Sequence, residues 1–178
     1  MGLEIERKFL VRGDGWRHAA QRVVPMAQGY LNDVGMVDRG DMRASVRVRI
    51  EGDQAFLNIK SRELGARRQE FEYPIPLEDA HALLALCVGG LVVKRRHYVE
   101  HAGRVWEIDE FEGDNAGLVV AEIELEDVQA TFEKPDWLGP EVTDVPRYYN
   151  LALASRPFSQ WRDEERQAND VKDAPTCC

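Results

Sequence analysis

Cysteine is scarce in this sequence of 178 residues. Only Cys87, Cys177 and Cys178 occur. An odd number, with two of the three in a polar tail, argues against a disulfide framework and for a reducing, cytoplasmic setting. No uninterrupted run of ~18 apolar residues is present, so no membrane-spanning helix and no membrane partner are expected. The opening residues, MGLEIERKFLVRGDG, carry charge from Glu4 onward and lack the apolar core of a secretory signal. Position 6 is Glu6 rather than Ser or Thr, so Gly2 does not open a myristoylation site. None of the four histidines, His18, His81, His97 and His101, pairs with a cysteine at a zinc-ligand interval. Neither a GxxxxGK[ST] loop nor a kinase-type glycine-rich loop exists to cradle phosphates with backbone amides. With 23 Lys and Arg against 32 Asp and Glu, the net charge of −9 speaks against nucleic acid as a partner.

What the sequence does contain is a succession of short strand-like runs separated by Gly, Asp and Asn. Eight are expected: Leu3–Val11, Met26–Leu31, Ser45–Glu51, Gln54–Ser61, Gln69–Pro76, Leu91–Glu100, Arg104–Phe111 and Val119–Glu126. Gly52-Asp53 reads as a two-residue hairpin turn, and His101-Ala102-Gly103 as a slightly longer one. Helical patterns are fewer. They cover Asp14–Arg22, the stretch from Pro76 to Val88 stopped by Gly89-Gly90, Tyr148–Ala154 and Ser159–Gln167. Residues from Arg166 to Cys178 are polar and aperiodic, which predicts a frayed tail.

The charges on the strands alternate in an unusual way. Successive strand residues face opposite sides, and same-face neighbours lie about 7 Å apart given a rise of about 3.3 Å per residue. Like charges occupy such neighbouring positions: Glu4/Glu6, Glu70/Glu72, Glu107/Asp109 and Glu122/Glu124 on some strands, Arg47/Arg49 and Lys94/Arg96 on others. Lys8 and Lys60 share these faces, as does Asn58, while the opposite faces carry Ile5, Phe9, Val46, Val48, Leu57, Ile59, Trp106 and Ile108. An ordinary solvated face would mix in Ser, Thr and Gln. A fold gains nothing from placing like charges side by side; a site for cations and a polyanion does. Eight strands can close into a barrel, which removes the sheet edges. The expected fold is therefore mainly β, an eight-stranded antiparallel closed barrel with a charged lumen and peripheral helices over an apolar outer face.

Closely spaced carboxylates suit hard divalent cations such as Mg²⁺ or Mn²⁺. Arg and Lys converging from several strands suit phosphate oxygens. Metal together with a cationic cradle is the equipment of phosphoryl transfer, where positioning and charge neutralisation dominate. Six cations match a substrate with several phosphates.

Glu4-Ile5-Glu6-Arg7-Lys8 resembles the ExExK signature of the CYTH superfamily, the triphosphate tunnel metalloenzymes. The resemblance continues in order through Gln28-Gly29-Tyr30-Leu31, Val46-Arg47-Val48-Arg49, Ile59-Lys60, Glu70-Phe71-Glu72, Lys94-Arg95-Arg96, Trp106-Glu107-Ile108-Asp109, Ala121-Glu122-Ile123-Glu124, Glu141-Val142-Thr143 and Tyr148-Tyr149-Asn150. It covers about residues 3 to 155, so the tunnel domain is placed at 1–158, with a C-terminal helix and tail at 159–178. What the resemblance implies is a tunnel that binds a triphosphate with divalent metal, Mg²⁺ or Mn²⁺. Its implied metal ligands are Glu4, Glu6, Glu122 and Glu124, with Asp109 as a further candidate. Lys8, Arg47, Arg49, Lys60, Lys94 and Arg96 would bind phosphates. Lys94 would protonate or stabilise the leaving phosphate, and Glu4 and Glu6 would serve catalysis with it.

The short bacterial members that the chain resembles most are chiefly tripolyphosphatases, so the expected reaction is hydrolysis of inorganic tripolyphosphate to pyrophosphate and phosphate. The alternatives are a nucleoside or thiamine triphosphatase, or a class IV-type adenylate cyclase. A small-molecule triphosphate is the expected partner, and the chain a monomer or homodimer. Glu70 and Glu72 are open to two roles, ligating metal or aiming the Arg and Lys side chains. Trp16, Trp106, Trp137 and Trp161 are expected to pack outside the lumen, Tyr30 to share the inward phase of Gln28, and Asp163-Glu164-Glu165-Arg166 to form a solvated helix face.

Overall fold

A computed structural model describes residues 2–61 and 67–168. Nine strands and five helices follow one another: β1 (Gly2–Val11), α1 (Gly15–Ala19), β2 (Ala20–Tyr30), α2 (Val34–Arg39), β3 (Ala44–Glu51), β4 (Gln54–Ser61), β5 (Arg67–Pro74), α3 (Leu77–Leu84), β6 (Val88–His101), β7 (Arg104–Phe111), β8 (Val119–Glu124), β9 (Leu138–Glu141), α4 (Asn150–Ser155) and α5 (Asp163–Arg166). The sheet runs β5-β4-β3-β2-β6-β7-β8-β1-β9, and β5 pairs in addition with β1. That last pairing, Gly2 to Ile5 against Glu70 to Arg67, closes eight antiparallel strands into a barrel. The short strand β9 pairs with β1 at Phe9 and Val11. Gly139 permits this approach, because a Cβ there would meet the Leu10 carbonyl oxygen at 2.8 Å.

Both tight hairpins have two-residue loops. Glu51 pairs with Gln54 around Gly52-Asp53, and His101 pairs with Arg104 around Ala102-Gly103. The second is thus shorter than the sequence suggests, and Ala102 and Gly103 both take positive φ, 50° and 75°, as a tight turn of matching twist requires. The strand β6 begins at Val88, so Gly89-Gly90 lie inside it rather than in a helix stop.

Cross-strand partners in register share a face. Lys8, Glu122, Glu107 and Tyr98 are linked in this way across β1, β8, β7 and β6. Arg47, Asn58 and Glu72 are linked likewise across β3, β4 and β5. All are on the inner face. Much of the outer face is apolar and covered, though Val23, Tyr73 and Leu91 remain exposed on it. Ile5, Phe9, Trp106, Ile108, Ala121 and Ile123 pack with Trp16 of α1 and with Trp137, while Ala80 of α3 packs on Val48 and Ala55. Trp106, fully buried, meets Phe9, Phe132 and Trp137 edge-on at 5.4 to 5.8 Å.

One end of the lumen is filled. Tyr30, Val92, Phe111, Val120 and Leu10 lie on the inner face of their strands, and Val142, Tyr148, Leu153, Ala154 and Trp161 pack into them as an apolar plug. Trp161 therefore belongs to the plug rather than to the outer cluster. Near it, Glu165 is buried and accepts two hydrogen bonds from Arg156. Arg156 and the Arg162 backbone hold its carboxyl well below the usual range, which corrects the expectation of a fully solvated helix face there. The remaining C-terminal residues, Cys177 and Cys178 among them, lie outside the described residues. No helix among the described residues is long and apolar enough to cross a membrane.

Candidate active site

The inner charges are segregated by wall. Arg47 and Arg49 come from β3 and Lys60 from β4, and the strand order places these opposite β8 and β7. The acidic wall is β1, β8 and β7, carrying Glu6, Glu122, Glu124, Glu107 and Asp109, with Lys8 set among them. Lys94 and Arg96 reach this wall from β6. Glu70 and Glu72 lie on β5 beside the basic wall. The side chain of Glu4 lies outside the described residues; its backbone pairs with that of Arg68.

Exposure falls along the lumen. The Glu107 side chain is 36% exposed and Glu72 39%, whereas Lys94 is 1% and Asp109 0%. Glu124 is exposed. The lumen is therefore open at the Glu107 and Glu124 end and blind at the plug.

Asp109 is tied to two cations. Its oxygens accept from Arg96 Nε and Nη2, both at 2.7 Å, and one also accepts from Lys94 Nζ. Burial by itself would push this carboxyl up, but Arg96 and Lys94 together carry it below the usual range. Burial, then repulsion from Arg96, lowers Lys94 to about 8 despite the attraction of Asp109 and Glu122. Arg96 reaches further, to Glu107 and, at 3.1 Å, to Glu122. Burial pushes Glu107 up, and Glu122 adds to the rise.

Glu122 faces Glu107 directly across the β7–β8 ladder, and Glu6 faces Glu124 across β1–β8. Like charges so placed repel and call for a compensating cation. Lys8 Nζ supplies one, 3.0 Å from Glu6 and hydrogen-bonded to Glu122. Against the penalty of burial, Lys8 and Arg96 hold Glu122 well below the usual carboxylate range.

On the basic wall, Glu72 accepts from Arg49 Nη2 at 2.9 Å, and Glu70 lies 3.2 Å from Lys60 and 3.7 Å from Arg47. Asn58, fully buried, donates to both glutamates. Glu70 and Glu72 thus both contact cations of this wall. Burial, then the neighbouring Arg47, lowers the pKa of Arg49. Arg47 and Arg49 each leave Nε buried without a hydrogen-bond partner among the described residues.

The donor set fits a hard divalent cation. Among the described residues no three carboxylate, histidine or cysteine side chains converge closely enough to enclose a metal. Glu6 and Glu122 do converge on a single positive charge, the Lys8 ammonium. Mg²⁺ commonly uses one or two carboxylates and completes its shell with water and substrate phosphates. All the acidic oxygens are hard donors, and no thiolate or imidazole faces the lumen among these residues.

Three features of the site leave little trace in the sequence: the tie between Asp109, Lys94 and Arg96, the bridging by Asn58, and the plug. The first two need the cross-strand register, which a single sequence does not display. The plug is composed of residues that look like ordinary core.

Comparison with known proteins agrees with this geometry. The model of the CYTH domain matches residues 2–150. The chain is similar to the inorganic triphosphatase of Acetivibrio thermocellus, 43% identical over 92% of this chain and 100% of that one. It is also similar to the inorganic triphosphatase of Nitrosomonas europaea, 38% identical over 85% of this chain and 96% of that one. Among solved structures, inorganic triphosphatase NE1496 superposes with a TM-score of 0.61 at 34% identity, covering 86% of this chain and 95% of that chain.

Proposed function

The chain belongs to the CYTH domain family, and from that premise we propose that it is an inorganic triphosphatase, hydrolysing tripolyphosphate to pyrophosphate and phosphate with a divalent metal, Mg²⁺ or Mn²⁺. The observation that carries this reading is the pairing of a basic wall with an acidic wall in a lumen that is blind at one end. A linear polyanion enters such a lumen lengthwise. A nucleoside or thiamine group would have to stay outside the mouth, because the plug leaves no passage beyond Tyr30 and Val92.

In this reading Arg47, Arg49 and Lys60 bind phosphate oxygens from one side, and Lys8, Lys94 and Arg96 from the other. Glu6, Glu122 and Glu124, with Glu4, would hold the metal, which would neutralise phosphate charge and lower the pKa of a coordinated water. Asp109, already occupied by two cations, positions Lys94 and Arg96 in this arrangement. Hydrolysis joins a water oxygen to a terminal phosphorus and breaks one bridging P–O bond. The water proton passes to a carboxylate of the acidic wall, and Lys94 stabilises the charge that develops on the leaving oxygen.

Lys94 also sets a pH dependence. With a pKa of about 8 in the free protein, it is losing its charge at pH 8.5. A bound polyanion favours the charged form and raises that pKa, so binding takes up protons there, and affinity falls as pH rises above 8. Calorimetry at pH 8.5 in two buffers of different ionisation enthalpy should show greater proton uptake for wild type than for Lys94→Gln. Equal uptake would remove Lys94 from the substrate contacts.

The reading is tested by incubating the protein with tripolyphosphate, ATP and thiamine triphosphate, with Mg²⁺ or Mn²⁺, and identifying the products. Equimolar pyrophosphate and phosphate from tripolyphosphate, with slower release from the organic triphosphates, is expected. Cyclic AMP from ATP, or no turnover of tripolyphosphate, would overturn it.

A further inference from the structure

Gln28 is fully buried, yet its carboxamide is almost without partners. Among the described residues its Oε1 accepts no hydrogen bond, and its Nε2 reaches only the Tyr30 hydroxyl, at 3.5 Å. An amide buried in this state is destabilising relative to a satisfied one, so its position calls for an explanation. Register places it on the inner face, between Arg49 of β3 and Val92 of β6. Val92 and Tyr30 belong to the plug. Gln28 thus stands at the boundary where the charged lumen ends. Its neighbour Arg49 has an unpartnered Nε–H, a donor matched to the unpartnered Oε1 acceptor.

We propose that Gln28 is a further substrate-binding residue, donating from Nε2 to an oxygen of the innermost phosphate at the blind end of the lumen. Its Oε1 then accepts from Arg49 Nε, which orients the amide and the guanidinium together, with Arg49 Nη2 held by Glu72. A neutral donor suits this place. Burial and Arg47 already disfavour the charge on Arg49, and another cation there would raise that cost. The contact does to the end of the chain what the Arg and Lys side chains do along its length: it fixes how far the polyanion enters. The inference rests on the triphosphatase reading.

The experiment compares wild type, Gln28→Met and Gln28→Glu in steady-state hydrolysis of tripolyphosphate and in thermal melts without ligand. Methionine keeps the length and removes both hydrogen-bonding groups. The expected result for Gln28→Met is a KM raised about tenfold or more, with kcat within a few-fold of wild type and a melting midpoint equal to or above it. Glutamate keeps the acceptor and replaces the donor with charge, so Gln28→Glu should raise KM further. Unchanged KM in both variants overturns the assignment, whatever the melts do. Should Gln28→Met fail to fold, Gln28→Glu decides alone, through its KM. Failure of wild type to hydrolyse tripolyphosphate would instead overturn the functional reading on which this rests.

Discussion

Glu122→Gln is expected to slow tripolyphosphate hydrolysis by about a hundredfold or more, on the scale seen when one preorganised electrostatic group is removed from an active site. The change is nearly isosteric. It removes one negative charge at the point where Lys8, Arg96 and the proposed metal meet. The fold should tolerate it, because Lys8 keeps Glu6 and Arg96 keeps both oxygens of Asp109. It also relieves the repulsion between Glu122 and Glu107, which face each other across the ladder. Steady-state rates over a range of Mg²⁺, with a melt as control, check this. If extra metal fully restores the rate, Glu122 contributes only metal affinity; if the rate is unchanged at all metal concentrations, Glu122 is not part of the machinery.

Asp109→Ala should act differently, through stability as well as rate. It leaves Lys94 and Arg96 buried together with their shared carboxylate gone. Removing one partner of a buried ion pair typically costs about 3–5 kcal/mol. In a domain of this size that lowers the melting midpoint on the order of 10 °C. Tripolyphosphate should recover part of the loss, since a polyanion replaces the missing negative charge. A midpoint within two or three degrees of wild type would mean that Asp109 does not bear the charge of those two cations.

The alternation of charge along the strands makes the lumen legible in the amino-acid sequence alone. Glu4/Glu6, Arg47/Arg49 and Glu122/Glu124 have period two and segregated sign, and a closed barrel is the arrangement that gives such faces a purpose. Strand boundaries are less legible. Residues Ala20–Pro25 extend β2 well before its expected start, because Arg22 and Val24 pair with Tyr98 and Arg96 of a long β6. Local propensity carries no trace of that pairing. The helix α2 is not expected from the sequence, since Val34–Arg39 is too short to show a helical period. Nor is the strand β9, because Leu138-Gly139-Pro140-Glu141 contains two residues that rarely signal a strand. Glu70 and Glu72 cannot be assigned from sequence, since a carboxylate that ligates metal and one that aims an arginine have the same spacing. Their contacts with Arg49, Lys60 and Asn58 favour the second role.

Six cations from four separate strands line the lumen, Lys8, Arg47, Arg49, Lys60, Lys94 and Arg96. Exposed charges on an open sheet would each act weakly and independently. In a closed lumen a bound triphosphate joins β1, β3, β4 and β6 and stabilises the fold by mass action, by about 2.7 kcal/mol at a hundredfold excess over Kd. For a chain of this length that raises the melting midpoint by several degrees. The measurement is a thermal melt of wild type and Lys60→Ala, each with and without millimolar tripolyphosphate, with calcium in place of magnesium to limit turnover of the ligand. A clear upward shift is expected for wild type, with loss of most of that shift in Lys60→Ala. No shift in wild type, or an equal shift in Lys60→Ala, would contradict a cationic lumen closed around its substrate.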